Sequence, residues 1–402
     1  MPFPSARAPL LFLALLTAAL PALPLHGALD EPPPQEPIPP TLFPGPVVPV
    51  RNEANILGLM ERVADWQLAW PDEREVTHWA RATGYLGLSA LARVSAETRY
   101  ETALLGLARE AGWKPGPRLH HADDHTIGQV YLELHARHRD PAMLAGLRAT
   151  FDAILAAPVT GSLDRVHPWR HDRWTWCDAL FMAPPAWAGL GRVTGDTRYL
   201  DFALRDWAEA EDYLYDKEER LYYRDSRFFK VRELNGAKTF WGRGNGWMLA
   251  AYARLLPLVP ADRPERGAME ARFREFAGRV RELQPADGLW RSSMLDTERH
   301  RDGETSGSAL LCYGLAWGVN AGLLDRETFA PAALRAWDAL CAHVQADGRL
   351  IHAQPVGHRP FRFDLDTAEV YASGAFLLAG EEILRLLRAA APAAPAPATP
   401  AP

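Results

Sequence analysis

An aspartate set among tryptophans is the first residue in this chain whose surroundings suggest chemistry. Asp178 lies in the run RWTWCDALFMAPPAWAGL, beside Trp174, Trp176, Cys177, Leu180 and Phe181. An apolar neighbourhood disfavours the ionised form of a carboxyl and raises its pKa. Such an acid holds a proton near neutral pH and can deliver it to a poor leaving group or an electron-rich double bond. A helix cap, or the buried partner of an arginine, would also account for an aspartate here, and the run alone leaves these readings open.

A second cluster is HHADDHTIGQVYLELH, from His120 to His135. Asp123 and Asp124 precede an amphipathic run, so one of them is expected to cap a helix. Asp124 is expected to be a catalytic or substrate-orienting carboxylate, with capping and substrate contact divided between the two as the alternative. His121 and His125, four apart, could share one helical face as metal ligands. No third and fourth ligand follows at a recognised spacing, so no metal site is expected.

The third cluster is FWGRGNGWMLAAY, where Gly242, Gly244 and Gly246 alternate with Trp241, Arg243, Asn245 and Trp247. It reads as a short permissive loop entering a helix. A phosphate-cradling loop is a poor match, because no strand precedes it and no Lys-Ser/Thr follows. Sugar recognition suits it better: an indole face stacks on a pyranose ring, and a guanidinium fork grips a carboxylate. Each such charged hydrogen bond contributes about 1.5–3 kcal/mol. Further on, Glu304, Thr305, Ser306 and Ser308 form a polar cluster before an apolar run, and Gln354 and Tyr371 precede or open another.

These clusters need elements to hold them. Apolar residues recur at helical spacing, as in VYLELHARH and WMLAAYARLLPLV, and alternating runs long enough for strands are few. ETRYETALLGLAREAGW resembles DTRYLDFALRDWAEAED, and DRETFAPAALRAWDAL, from Asp325, is a weaker echo. Arg99/Tyr100 and Arg198/Tyr199 then stand two units apart if each unit is a helical hairpin of roughly 50 residues. Such hairpins must stack to bury their faces. The expected fold is all-α, an (α/α)6 barrel of six hairpins over residues 51–388, with an open solenoid as the alternative. QPADGLW and QADGRL supply Asp-Gly turns between helices.

Composition narrows the class. A hydrophobic fraction of 48% with 14 Trp suits a globular enzyme, and a net charge of −6 disfavours nucleic-acid binding. Cys177, Cys312 and Cys341 match no zinc or redox spacing and read as buried small residues, with a Cys312–Cys341 disulfide as the alternative. Arg7, the apolar run Leu10–Leu25 and the small Gly27 and Ala28 read as an export signal over residues 1–28. Pro21 and Pro24 interrupt that run, so no membrane span is expected, and the protein is expected to be periplasmic or secreted. Residues 29–50 read as a proline-rich linker and 389–402 as an unfolded Ala/Pro tail.

Taken together, ADDHTIGQ, WTWCDALFM, FWGRGNGW, ETSGS and EVYASGAFLLAG resemble glycoside hydrolase families 105 and 88, the unsaturated rhamnogalacturonyl and glucuronyl hydrolases. The resemblance spans nearly the whole core. It implies an (α/α)6 barrel, no metal and no organic cofactor. The implied substrate is an oligosaccharide ending in a 4,5-unsaturated uronic acid. Asp178 is then the general acid/base and Asp124 a second active-site carboxylate. Trp176, Arg243 and Trp247 contact the sugar, and Trp241, Asn245, Arg224, His125 and Ser306 complete the expected binding set. Many rhamnogalacturonyl hydrolases carry a histidine where this chain has Arg224, in LYYRDS. An arginine does not shuttle protons but does bind anionic or branched substrates. Two other chemistries fit the same toroid: an epimerase, which wants paired histidines, and a conventional inverting glycosidase, which wants a second carboxylate as base.

Overall fold

The helical periodicity resolves into thirteen α-helices in the computed structural model, which describes residues 48–165 and 173–390. They are α1 (Glu53–Ala69), α2 (Trp79–Val94), α3 (Arg99–Glu110), α4 (Ala122–His138), α5 (Ala142–Ala156), α6 (Cys177–Met182) and α7 (Pro184–Thr194). There follow α8 (Thr197–Leu214), α9 (Gly242–Leu255), α10 (Pro264–Glu282), α11 (Thr305–Asn320), α12 (Arg326–Ala342) and α13 (Val370–Arg388). The expected export signal, the linker as far as residue 47 and the tail from 391 lie outside the described residues. At the linker's end the Val50 carbonyl already accepts from Trp337 Nε1 at 3.0 Å, so the chain is anchored there. No helix among the described residues is long and apolar enough to cross a membrane.

Two kinds of helix alternate. Every residue of α11 from Thr305 to Val319 is buried, the mark of a helix enclosed on all sides. In α10 only Met269, Phe273, Phe276, Ala277 and Val280 are buried, one stripe at helical spacing. The enclosed helices α2, α4, α6 with α7, α9, α11 and α13 form an inner ring in which each packs on the next and α13 returns to α2. The remaining six lie outside, and α1 covers α13. The ring is closed, which removes the open solenoid and gives the (α/α)6 barrel. One inner rod is split into α6 and α7 because Pro184 and Pro185 cannot donate to the preceding turn.

The repeated Arg-Tyr pairs occupy equivalent places. Tyr100 and Tyr199 are each the second or third residue of an outer helix, buried, with hydroxyls donating to Asp65 (3.1 Å) and Asp152 (2.6 Å). Gly288 and Gly348, in the two Asp-Gly links, both take φ of +93°, the left-handed turn conformation. The three cysteines are free and buried, so the disulfide alternative is not realised. Because each outer helix reverses the chain, all inner N-termini meet at one end of the barrel. Their partial positive charges favour an anion there.

Candidate active site

The residues at that end enclose a pocket of about 300 Å³. Trp79, Asp123, Asp178 and Arg243 come from the first turns of α2, α4, α6 and α9, and Trp176 and Trp241 immediately precede helices. Arg224 follows a short antiparallel hairpin of β1 (Tyr215–Asp216) and β2 (Leu221–Tyr222). Val356, Gly357 and His358 form the facing wall. A roomier hollow of about 500 Å³ lies around Arg51, Arg335 and Asp338. It has no aromatic platform, and Arg51 already holds Asp338 at 2.6 Å, so the smaller pocket is the one equipped for chemistry.

Asp178 meets the Arg224 guanidinium at 3.4 Å and accepts from Cys177 Sγ at 3.3 Å. Asp123 lines the same pocket. Burial, reinforced by the charge of Asp178, pushes the Asp123 carboxyl up to about 7. Arg224 also donates to Asp225 at 2.7 Å. Burial alone would raise Asp225, but bonds and charges from Arg227 and Arg224 hold it near 2. Asp225 is thus a fixed anion that orients Arg224, and the Arg224 guanidinium stands 5.9 Å from the Trp176 ring.

Several expected site residues are bonded into the scaffold. Neither aspartate caps α4; His121 does, its ring accepting from Asp123 N at 3.3 Å. Asp124 is not among the pocket-lining residues and accepts from Arg118 N (2.6 Å) and Nε (3.1 Å), tying the preceding loop to the helix. The second carboxylate is therefore Asp123, one residue earlier, because a one-residue step turns a helical side chain through about 100°. Asp124→Asn is expected to cost about 1–3 kcal/mol of stability by weakening charged hydrogen bonds. It should show as a lower urea midpoint without the turnover loss expected of the pocket carboxyls.

His125 is a core residue. Its Nε2 donates to the Leu119 carbonyl at 2.9 Å, its Nδ1 accepts from Trp187 Nε1 at 3.2 Å, and burial pushes it down to about 4. The paired histidines an epimerase wants are therefore not presented to this pocket. Asn245 braces β2, exchanging bonds with the Tyr222 backbone at 2.9 and 3.1 Å. Trp247 is wholly buried behind Trp79, the rings edge to face at 6.1 Å. Ser306 lies beneath Arg243, accepting from it at 3.3 Å, next to Glu304, which caps α11 through Ser306 N and Gly307 N.

Arg243 lines the pocket, and both of its terminal nitrogens are bonded to the protein. Nη1 donates to the Gln354 carbonyl at 2.5 Å and Nη2 to the Pro355 carbonyl at 2.9 Å, with the guanidinium carbon 4.5 Å from the Trp241 ring centre. Through these bonds it anchors the facing loop. The glycines around it are helical, not a loop. A Cβ on Gly242 would lie 2.1 Å from the Arg291 carbonyl oxygen, and one on Gly246 would lie 2.9 Å from that of Gly307. They let neighbouring backbone approach. Trp176 and Trp241 do line the pocket as expected. Trp79, Met182 and His358 were not anticipated: Met182 closes the WTWCDALFM run without drawing notice, and Trp79 and His358 sit in no motif and reach the pocket only through the closed fold.

Comparison with known proteins identifies the family. The chain is 38% identical over 346 residues to the unsaturated 3S-rhamnoglycuronyl hydrolase of Formosa agariphila, covering 83% of this chain and 92% of that one. It is 32% identical to the protein of the same name from Alteromonas sp. (strain LOR), covering 84% and 87%. Among solved structures, a glycosyl hydrolase family 88 protein from Bacteroides vulgatus superposes with a TM-score of 0.75 at 28% identity, covering 83% of this chain and 99% of that one. A structure described as the polysaccharide lyase BACCELL_00875 also gives 0.75, at 29% identity, covering 84% and 98%. The sequence profile of Glycosyl Hydrolase Family 88 matches residues 59–387. With the closed double ring of helices and the carboxyl pair at its mouth, this establishes that the chain belongs to glycosyl hydrolase family 88.

Proposed function

We propose that the pocket binds a 4,5-unsaturated uronic acid at the non-reducing end of a lyase-made oligosaccharide and adds water across its double bond. The observation that carries this is the carboxyl pair, Asp178 with Asp123, set between tryptophans and beside Arg224. Asp123, raised to about 7 by burial and by the charge of Asp178, holds a proton near neutral pH. That proton passes to ring carbon C4 through Asp178, and positive charge develops at C5 and the ring oxygen. Water adds at C5 and returns its proton to the pair. The hemiketal opens and the C1 hemiacetal it leaves breaks down, releasing the remaining sugar as an alcohol. One water is consumed and the carboxyls end as they began.

Arg224 supplies the cation for the uronate carboxylate, the part first expected of Arg243. The names of the relatives support rhamnose, in its 3S form, as the sugar released. The charged and apolar N-terminal run supports export to the periplasm or medium, which fractionation of the host cell tests.

The reaction is tested by mixing the protein with lyase digests of several uronate-containing polysaccharides and following the ultraviolet absorbance of the conjugated double bond. Decay is expected; no decay on any digest sinks the proposal. The likeness to a structure described as a lyase makes elimination the second reading, and it has the opposite signature, rising absorbance on undigested polymer.

A further inference from the structure

We propose that His358 contacts the sugar attached to C1 of the unsaturated uronide and determines which leaving sugar is accepted, its position being set by Gln354. This rests on the function proposed above and adds to it the residue that reads the leaving group.

The pocket has two unlike sides. Asp123, Trp176 and Asp178 stand on helix ends, whereas Val356, Gly357 and His358 belong to the connection between α12 and α13. The His358 imidazole forms no hydrogen bond among the described residues; its neighbour is the Phe228 ring, with centroids 6.1 Å apart. Arg224, Arg227, Arg359 and Asp225 are the charged groups around it. Burial, with the charges of Arg224 and Arg227, pushes it down to about 4, so at neutral pH it is an uncharged ring with one donor and one acceptor. That pairs with sugar hydroxyls. Val356 beside it is 53% exposed, an apolar surface at the pocket wall that suits the methyl group of a 6-deoxy sugar.

This wall is held rigidly. Gln354 is fully buried, and its Oε1 accepts from Trp241 Nε1 at 2.7 Å. Its Nε2 donates to the Arg359 carbonyl at 3.2 Å and its backbone N to Glu304 Oε1 at 3.0 Å. Its own carbonyl accepts from Arg243 and from the Tyr371 hydroxyl, each at 2.5 Å. One residue therefore spaces the Trp241 side of the pocket from the His358 side. A wall so satisfied is preorganised, and loses little entropy when a sugar binds.

The test compares two substrates that share the unsaturated uronyl group, one linked to rhamnose and one a methyl glycoside. The readout is the ratio of their kcat/KM values. For His358→Ala the ratio of disaccharide to methyl glycoside should fall roughly 10-fold or more, the scale of one or two lost hydrogen bonds. His358→Gln, which keeps a donor and an acceptor, should recover part of it. Gln354→Leu should lower the ratio as well, mainly through the disaccharide KM. A general structural defect slows both substrates alike, so an unchanged ratio in His358→Ala overturns the assignment. If the wild type consumes neither compound, the proposed activity fails and this assignment with it; consumption with an unaltered ratio removes this inference alone.

Discussion

Asp178→Asn is expected to lower kcat by roughly 10²–10⁴ while leaving the barrel folded, the usual range for losing a general acid/base. The amide keeps the shape of the carboxyl but cannot give up a proton to C4 or accept one from water. The structure explains why folding should survive. Asp178 is one of two carboxyl groups beside Arg224, and the closer one, Asp225 at 2.7 Å, remains in Asp178→Asn. Cys177 and the rest of α6 stay buried on their own packing. Circular dichroism and melting temperature should match the wild type, while absorbance decay on an unsaturated disaccharide should nearly stop. Undiminished turnover would remove Asp178 from the mechanism.

The second large effect concerns Asp123 and pH. Its carboxyl is raised to about 7 by burial and by the charge of Asp178, so it is protonated below that pH and ionised above it. Above pH 7 Asp123 has lost its proton, so kcat/KM should fall as pH rises through about 7. Asp123→Asn fixes the neutral form. It should cost roughly 10²-fold in rate and abolish that alkaline limb. Stability carries the same sign. A carboxyl whose folded pKa is raised contributes stability that is full below the ordinary carboxylate pKa and is lost as pH rises through the folded value. Asp123→Asn should therefore melt higher than wild type above pH 7, and the gap should shrink in acid. A wild-type profile flat from pH 6 to 9, or an Asn variant retaining the limb, would assign the titration elsewhere.

These substitutions also separate neighbours that look alike in the chain. Asp123 and Asp124 are adjacent acids at the start of one helix. One faces Asp178 across the pocket and the other faces Arg118, so their loss should be read by different instruments: turnover for the first, denaturation midpoint for the second.

Much of this was legible in the residues. Apolar spacing gives helices because a 3.6-residue period must present one face to a core, and the repeated Thr-Arg-Tyr starts, preceded by Glu97 and Asp196, mark equivalent outer helices. Trp176, Asp178 and Trp241 could be singled out because each sits next to a helix start that its motif makes visible. The alternation of glycine with large residues at 241–247 was visible too, but its purpose was not. Glycine serves loops and tight helix contacts equally well, and only the positions of the Arg291 and Gly307 carbonyls distinguish them.

Sequence by itself thus determined the class of fold, through periodicity, and the family, through the resemblance of its motifs, and it singled out Asp178 as the candidate acid/base. Tertiary structure alone decided which of two adjacent aspartates joins Asp178. It also showed that Arg243 is spent on carbonyls more than a hundred residues away, and that Arg224 and His358 share a pocket. Those facts depend on where a side chain points after six hairpins have closed on themselves. Closure brings together residues from opposite ends of the chain, and no local spacing records that meeting.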